Sequence, residues 1–237
     1  MKRLLLHICC APCSLIPLEV FAQEGYSLAA AYINPNIHPA SEYQRRLAAF
    51  KAHAQSLELT ILEASHETEA WEQAVGCFGG PYPLIKGAAD YEDNLRARQA
   101  RCRQCYRLRF TRLARLAADE GFDHIATTLT ISPYQFTGII FEELEQAAQN
   151  YGLNPVCLDF TARYFEATRR SRALGMYRQN YCGCRYSVLE ADAERAFRGK
   201  HGGAAAKDEA GSRGTSNDGG DDTGNDAHRG GSNNAHQ

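Results

Sequence analysis

Apolar runs of strand length alternate with longer amphipathic stretches between Arg3 and Leu62. Arg3 to Ile8 reads as a short buried strand and Cys9 to Ser14 as a tight loop, with Ser14 the expected N-cap of a helix ending at Gly25. Ser27 to Ile33 is a second strand, closed by Asn34-Pro35-Asn36. Glu42 to Ser56 carries helical spacing through Tyr43, Leu47, Phe50 and Ala54, and Leu59 to Leu62 is a third strand. This order predicts an α/β fold, a parallel sheet covered by helices.

The pattern continues with less rhythm. Gly76 to Asp90 is rich in Gly and Pro and is expected to be irregular. Cys102 to Glu120 predicts a helix with Phe110, Leu113, Leu116 and Ala117 inward, and His124 to Leu129 a strand. Pro133 to Tyr151 reads as a helix opened by its proline, Asn154 to Leu158 as the last strand, and Arg163 to Leu174 and Ser187 to Arg198 as closing helices. In an open sheet of this kind ligands sit beyond the carboxyl ends of the strands, where Cys9, Thr127 and Asp159 fall.

Composition changes near Lys200, after which Gly, Ser, Asn, Asp and Ala dominate and large apolar residues vanish. Such a segment cannot bury enough apolar surface to offset its ordering entropy. Residues 1–200 are therefore expected to form a single domain and residues 201–237 a disordered tail. The tail holds three basic and six acidic residues, so the remainder carries +1 of a net charge of −2. Bulk charge gives no argument for a nucleic-acid partner. Residues 96–115 nevertheless contain eight arginines and no acid, either a solvated helix face or a local basic patch.

The opening Met1-Lys2-Arg3-Leu4-Leu5-Leu6 is broken by His7 and then by cysteines, too short for a signal h-region. A soluble, cytoplasmic protein is expected, with no membrane association. Nine cysteines without secretion signals point to metal or redox chemistry more than to a disulfide framework.

Three of those thiols fall in His7-Ile8-Cys9-Cys10-Ala11-Pro12-Cys13-Ser14, at a strand-to-helix turn whose dipole is expected to lower a thiol's pKa. Arg101-Cys102-Arg103-Gln104-Cys105-Tyr106 is a CxxC placed at a helix start. Cys9, Cys10, Cys102 and Cys105 together make four thiolates, a count that suits a 4Fe-4S cluster or a structural zinc. Adjacent cysteines favour the cluster, because they reach two irons of a cube more easily than they chelate one tetrahedral ion. Tyr177 to Cys184 ends in Cys182-Gly183-Cys184, whose sulfurs can close a small labile disulfide or serve as further ligands. Cys77 and Cys157 read as core or loop residues. Thr127 to Gln135 offers hydroxyls and free amides at a strand end, suited to an anion or ribose, though Ser132 as a plain cap is as physical.

Together these motifs resemble the QueH type of epoxyqueuosine reductase, over roughly residues 3 to 190. The carriers are Leu6 to Cys13, Asn34-Pro35-Asn36-Ile37-His38-Pro39, Arg101 to Tyr106, Thr127 to Gln135, Asp159-Phe160 and Tyr177 to Cys184. The resemblance implies a nucleotide-alpha-hydrolase-like sheet with a helical C-terminal part, and reduction of the epoxide of epoxyqueuosine at the tRNA wobble position. It also implies a 4Fe-4S cluster on Cys9, Cys10, Cys102 and Cys105, and a redox-active disulfide between Cys182 and Cys184. An additional mononuclear ion, iron or zinc, is implied near the cluster, with Cys13 a candidate to help hold it. Cysteines occupy the turn where related enzymes bind ATP, so no ATP use is expected. Thr161 after Asp159-Phe160, and Arg98-Gln99 before the CxxC, depart from the family pattern.

On this reading the partners are tRNA and an unidentified electron donor. The arginines around the CxxC would meet phosphates, and Tyr106, Tyr134 and Tyr181 would stack on the exposed base. Two competing expectations are a tRNA sulfurtransferase on a related sheet, which predicts ATP dependence, and a zinc-stabilised RNA-binding module, which predicts a colourless zinc protein.

Overall fold

The computed structural model describes residues 2–208, and those up to Phe197 form one compact unit. Five strands run parallel in the order β3-β2-β1-β4-β5: β1 Arg3–His7, β2 Ser27–Tyr32, β3 Ile61–Glu63, β4 His124–Thr127 and β5 Asn154–Pro155. The order reverses between β1 and β4, which register as His7 against Thr127. A crevice therefore opens beyond the carboxyl ends of those two strands. The predicted parallel sheet is confirmed. β5 is shorter than the expected 154–158, because Pro155 has no amide to give and the strand lies at the sheet edge. Pairing continues only through the Val156 amide to the Ile125 carbonyl.

Alternate β1 residues face opposite layers, as a period of two demands. Leu4, Leu6 and Ile8 pack with Ile16, Phe21, Leu47 and Phe50 of helices α1 (Ala11–Gln23) and α2 (Ala40–Gln55). Leu5 packs with Phe110, Leu113, Ile140 and Leu144 of α4 (Tyr91–Asp119) and α5 (Thr137–Asn150). The remaining helices are α3 (Thr68–Val75), α6 (Tyr164–Ala173) and α7 (Arg185–Asp208). Among the described residues no helix is long and apolar enough to cross a membrane. α7 carries the helical C-terminal part past residue 200, and from residue 209 the segment read as a tail lies outside the described residues.

Several expected boundaries move. α1 starts at Ala11, with Cys10 at the N-cap position. Ser14 lies inside the helix, its hydroxyl donating to the Ala11 carbonyl at 2.8 Å. α4 begins at Tyr91, so the CxxC sits in mid-helix and gains nothing from a helix dipole. Pro133 does not open α5: a 3₁₀ turn, Leu129–Ile131, follows β4, and the helix waits until Thr137. α3, with Trp71 and Val75 buried, was not foreseen.

Candidate metal and redox site

The CxxC becomes a face once α4 is continuous. Cys102, Cys105, Tyr106 and Arg109 recur at i, i+3, i+4 and i+7, so all four line one stripe directed at the crevice. Cys105 is 8% exposed and receives a hydrogen bond from Trp71 Nε1 at 3.3 Å. Burial pushes the Cys102 thiol up, and the neighbouring Cys182, Cys184 and Cys105 act in the same direction.

The Cys182-Gly183-Cys184 loop is clamped by the Asn34 to Pro39 segment. The His38 amide donates to the Gly183 carbonyl at 2.9 Å, Tyr181 donates to the His38 carbonyl at 3.2 Å, and Arg46 Nη1 donates to the Cys182 carbonyl at 2.8 Å. Gly183 has φ +137°, and a Cβ there would lie 3.0 Å from Ile37 Cγ1 and 3.2 Å from Arg46 Nη1. Only glycine lets the loop approach so closely. Both Cys182 and Cys184 are free thiols.

At the first turn the sulfurs of Cys9, Cys10 and Cys13 all lie within 4.8 Å of one another. Cys10 and Cys13 are joined as a disulfide, with Cα atoms 5.4 Å apart, while Cys9 is free. Cys9 is held by Thr128, whose Oγ1 accepts its amide at 3.2 Å and lies 3.4 Å from its sulfur. The Thr127 and Thr128 hydroxyls thus brace the turn instead of lying free for an anion, since Thr127 Oγ1 binds His7 Nδ1 and the Leu129 amide. Among the described residues the Cys9, Cys10 and Cys13 sulfurs are the group drawn together closely enough for a metal; Cys102 and Cys105 are not part of it.

Burial pushes up the thiol pKa values of Cys9, Cys102, Cys105, Cys182 and Cys184. The expected lowering by the α1 dipole therefore does not prevail at Cys9: loss of hydration outweighs the helix end. Without a metal these thiols are protonated and neutral at pH 7.

Two guanidiniums complete the site. Arg109 is 1% exposed and makes no ion pair among the described residues. It donates to His7 Nε2 at 3.1 Å, to Asn34 Oδ1 at 2.7 Å and to the Ile33 carbonyl at 3.3 Å, while its Nη1 has no partner. Nε2 also lies 3.2 Å from the Ile33 carbonyl, so it accepts from Arg109 when the proton sits on Nδ1 and donates to Ile33 when the proton sits on Nε2. Burial and Arg109 hold the His7 pKa well below the ordinary value. Arg46 pairs with Glu42 at 2.7 Å but leaves Nη2 without a partner. A buried cation with no counter-charge costs several kcal/mol. The Arg109 charge lowers the thiol pKa values of Cys9, Cys105 and Cys182 against the trend of burial. Sulfur donors around an unmatched buried cation fit a thiolate-held group of net negative charge.

Other expected contacts resolve differently. The arginines of 96–115 are neither a free phosphate stripe nor a plain solvated face. Arg101, 2% exposed, grips Glu190 through two bonds of 2.7 and 3.1 Å; Arg98 pairs with Glu194, Arg103 and Arg107 with Glu143, and Arg112 with Glu67. Tyr106 is buried and donates to Gln135 Oε1 at 2.8 Å, and Tyr181 stacks under Arg46, so neither is a free stacking surface. Cys157 is half-buried and Cys77 exposed. Trp71, Arg46 and Arg109 escaped the sequence reading. For Trp71 the signal was that it is the chain's single tryptophan.

Residues 4–190 match the family model described as Epoxyqueuosine reductase QueH. A protein named Epoxyqueuosine reductase QueH from Dehalococcoides mccartyi is 30% identical over 190 residues, 79% of this chain and 93% of its own length. One of the same name from Thermotoga maritima is 32% identical over 192 residues, 80% of this chain and 92% of its own. A solved structure described as a predicted subunit of tRNA methyltransferase from Methanocaldococcus jannaschii aligns with 73% of this chain and 75% of its own, with a TM-score of 0.44 and 11% identity.

Proposed function

This chain belongs to the epoxyqueuosine reductase QueH family, and we propose that it reduces epoxyqueuosine in tRNA through a 4Fe-4S cluster held by Cys9, Cys10, Cys102 and Cys105. The chain is an oxidoreductase of that family. The observation that carries the finer reading is the unmatched Arg109 guanidinium among Cys9, Cys105 and Cys182, a charge arrangement suited to a thiolate-held anionic group.

When bound, the cluster would supply electrons one at a time. Removing the epoxide oxygen consumes two electrons and two protons and yields an alkene and water. Oxidation of the Cys182 and Cys184 dithiol to a disulfide releases the same two electrons and two protons, so the pair balances one turnover and is then restored by an external electron donor. Burial keeps both thiols protonated, so the pair can enter the reaction carrying its protons. Arg46 fixes the loop through the Cys182 carbonyl, and Gln135 lies 4.0 Å from the Cys182 sulfur. Cys13 would help to hold an additional mononuclear ion, iron or zinc, beside the cluster, and reduction of the Cys10–Cys13 bond would free both sulfurs for their ligand roles.

The test compares Cys105→Ser and Cys182→Ser in anaerobically purified protein, reading iron content and the nucleosides of the treated tRNA by mass. Cys105→Ser is expected to lose iron and turnover together. Cys182→Ser is expected to retain iron and lose repeated turnover. A Cys105→Ser protein with full visible absorbance and full turnover overturns the ligand assignment.

A further inference from the structure

α6 has two chemically distinct faces. On one, Arg163, Glu166 and Arg170 at i, i+3 and i+7 neutralise one another and Glu19 of α1, with contacts of 2.8 Å between Arg163 and Glu166 and between Arg170 and Glu19. On the other, Phe165, Arg169 and Arg172 recur at i, i+4 and i+7, which sets them in one row along the helix. Phe165 is 80% exposed, and Arg169 and Arg172 are exposed with no ion pair among the described residues.

The row begins at the crevice. Phe165 packs edge-on against Tyr164 (5.7 Å between centroids), and Tyr164 packs edge-on against Tyr134 (6.0 Å), which is 65% exposed. Tyr134 adjoins Gln135, which touches Tyr106 and the Cys182 sulfur. The Phe160 amide donates to the Thr130 carbonyl at 3.2 Å, holding the start of this segment to the chain that follows β4. An aromatic ladder thus runs outward from the thiols and passes into a row of unpaired guanidiniums. Arg98, Arg101, Arg103 and Arg112 beside the CxxC are held by carboxylates, whereas Arg169 and Arg172 keep their charge unmatched at the surface among the described residues.

We propose that Phe165, Arg169 and Arg172, approached over Tyr134 and Tyr164, form the surface that receives the unpaired nucleotides next to the base being reduced. Single-stranded RNA presents bases that stack on exposed aromatic rings, beside phosphates that guanidiniums neutralise, and this surface sets those two functions end to end along one line. The pairing of exposed rings with guanidiniums favours RNA over a protein partner, since an apolar docking face would not carry two solvated guanidiniums in the same row. The inference rests on the reading that the substrate is borne on tRNA.

The test uses full-length holoenzyme carrying Phe165→Ala, and separately Arg169→Gln with Arg172→Gln. It measures kcat and KM on epoxyqueuosine-containing tRNA, and the salt dependence of binding to an unmodified tRNA anticodon stem-loop. Loss of one stacked base is expected to raise KM about tenfold with kcat unchanged. Loss of two phosphate contacts is expected to reduce the slope of log affinity against log salt by about 1.4. Variants that match the unaltered enzyme in KM and slope overturn the proposal and leave the tRNA reading intact, as does a fall in kcat at unchanged KM. If the unaltered enzyme itself leaves the tRNA epoxide unreduced, the reading beneath the proposal fails and takes it along.

Discussion

Trp71 Nε1 donates a hydrogen bond to the sulfur of Cys105 across 3.3 Å, between two side chains that are both buried. Trp71 is the only tryptophan in the chain, so its emission reports on this one sulfur. Iron loading is expected to quench tryptophan fluorescence in the unaltered protein and to leave it nearly unchanged in Cys105→Ser. Hydrogen bonds to a ligating sulfur favour the reduced, more negative state. Trp71→Phe, which keeps an aromatic ring and removes the donor, should therefore shift the reduction potential downward in a potentiometric titration. An unchanged or raised potential would remove Trp71 from the account.

Gly183 lets the dithiol loop dock on the Asn34 to Pro39 segment, and Gly183→Ala tests that contact. Its Cβ would press on Ile37 and Arg46, at a backbone conformation that L residues rarely adopt. A cost of about 1–3 kcal/mol is expected in urea unfolding. Faster alkylation of Cys182 should accompany it as the loop lifts. Unchanged stability together with unchanged alkylation would contradict the docking.

Arg101 and Glu190 are joined by two bonds with neither side chain appreciably exposed, and Glu190 also accepts the Tyr82 amide at 2.9 Å. Glu190→Gln keeps the shape and removes the counter-charge of Arg101 and Arg98. It is expected to destabilise the protein by about 3 kcal/mol, as for a broken buried pair. A loss of less than about 1 kcal/mol would put the contact in the class of surface pairs.

His7 is neutral in the fold because burial and Arg109 depress its pKa, whereas the unfolded chain binds its proton near pH 6.5. Below that pH the unfolded state takes up a proton that the native state refuses, so stability contributed by neutral His7 is lost as pH falls from about 6.5. His38, His53 and His66 are depressed in the same direction. Replacing His7 with Gln should therefore make the decline in urea midpoint between pH 7 and pH 5 shallower, without abolishing it. An unchanged slope would mean that His7 is not protonated on unfolding.

The part of this molecule that was legible from sequence is the part governed by local period. Tyr43, Leu47, Phe50 and Ala54 are buried as the helical spacing of α2 required, and β1 runs over nearly the span its apolar residues mark. The parallel sheet followed from that alternation, and it delivered the crevice and the Cys9 to Cys13 turn at its mouth. The first turns of α4 were not legible, because residues 91–101 have no apolar stripe. They are held by Arg98 with Glu194 and Arg101 with Glu190, partners far along the chain that no window reveals. The same distance hid the role of the arginines, which the sequence presents as one basic run and the fold divides between partners of Glu190, Glu194, Glu143 and Glu67 on one side and the unmatched Arg109 on the other. Thiol burial also outran the sequence: a cysteine at a helix start reads as acidified until its loss of water is known.

The central claim, that Cys9, Cys10, Cys102 and Cys105 hold an iron-sulfur cluster, is tested most directly by the visible spectrum of the anaerobically purified protein before and after dithionite. Broad sulfur-to-iron absorbance that bleaches on reduction and is lost in Cys105→Ser is the predicted result. A colourless protein carrying stoichiometric zinc and no iron would contradict it.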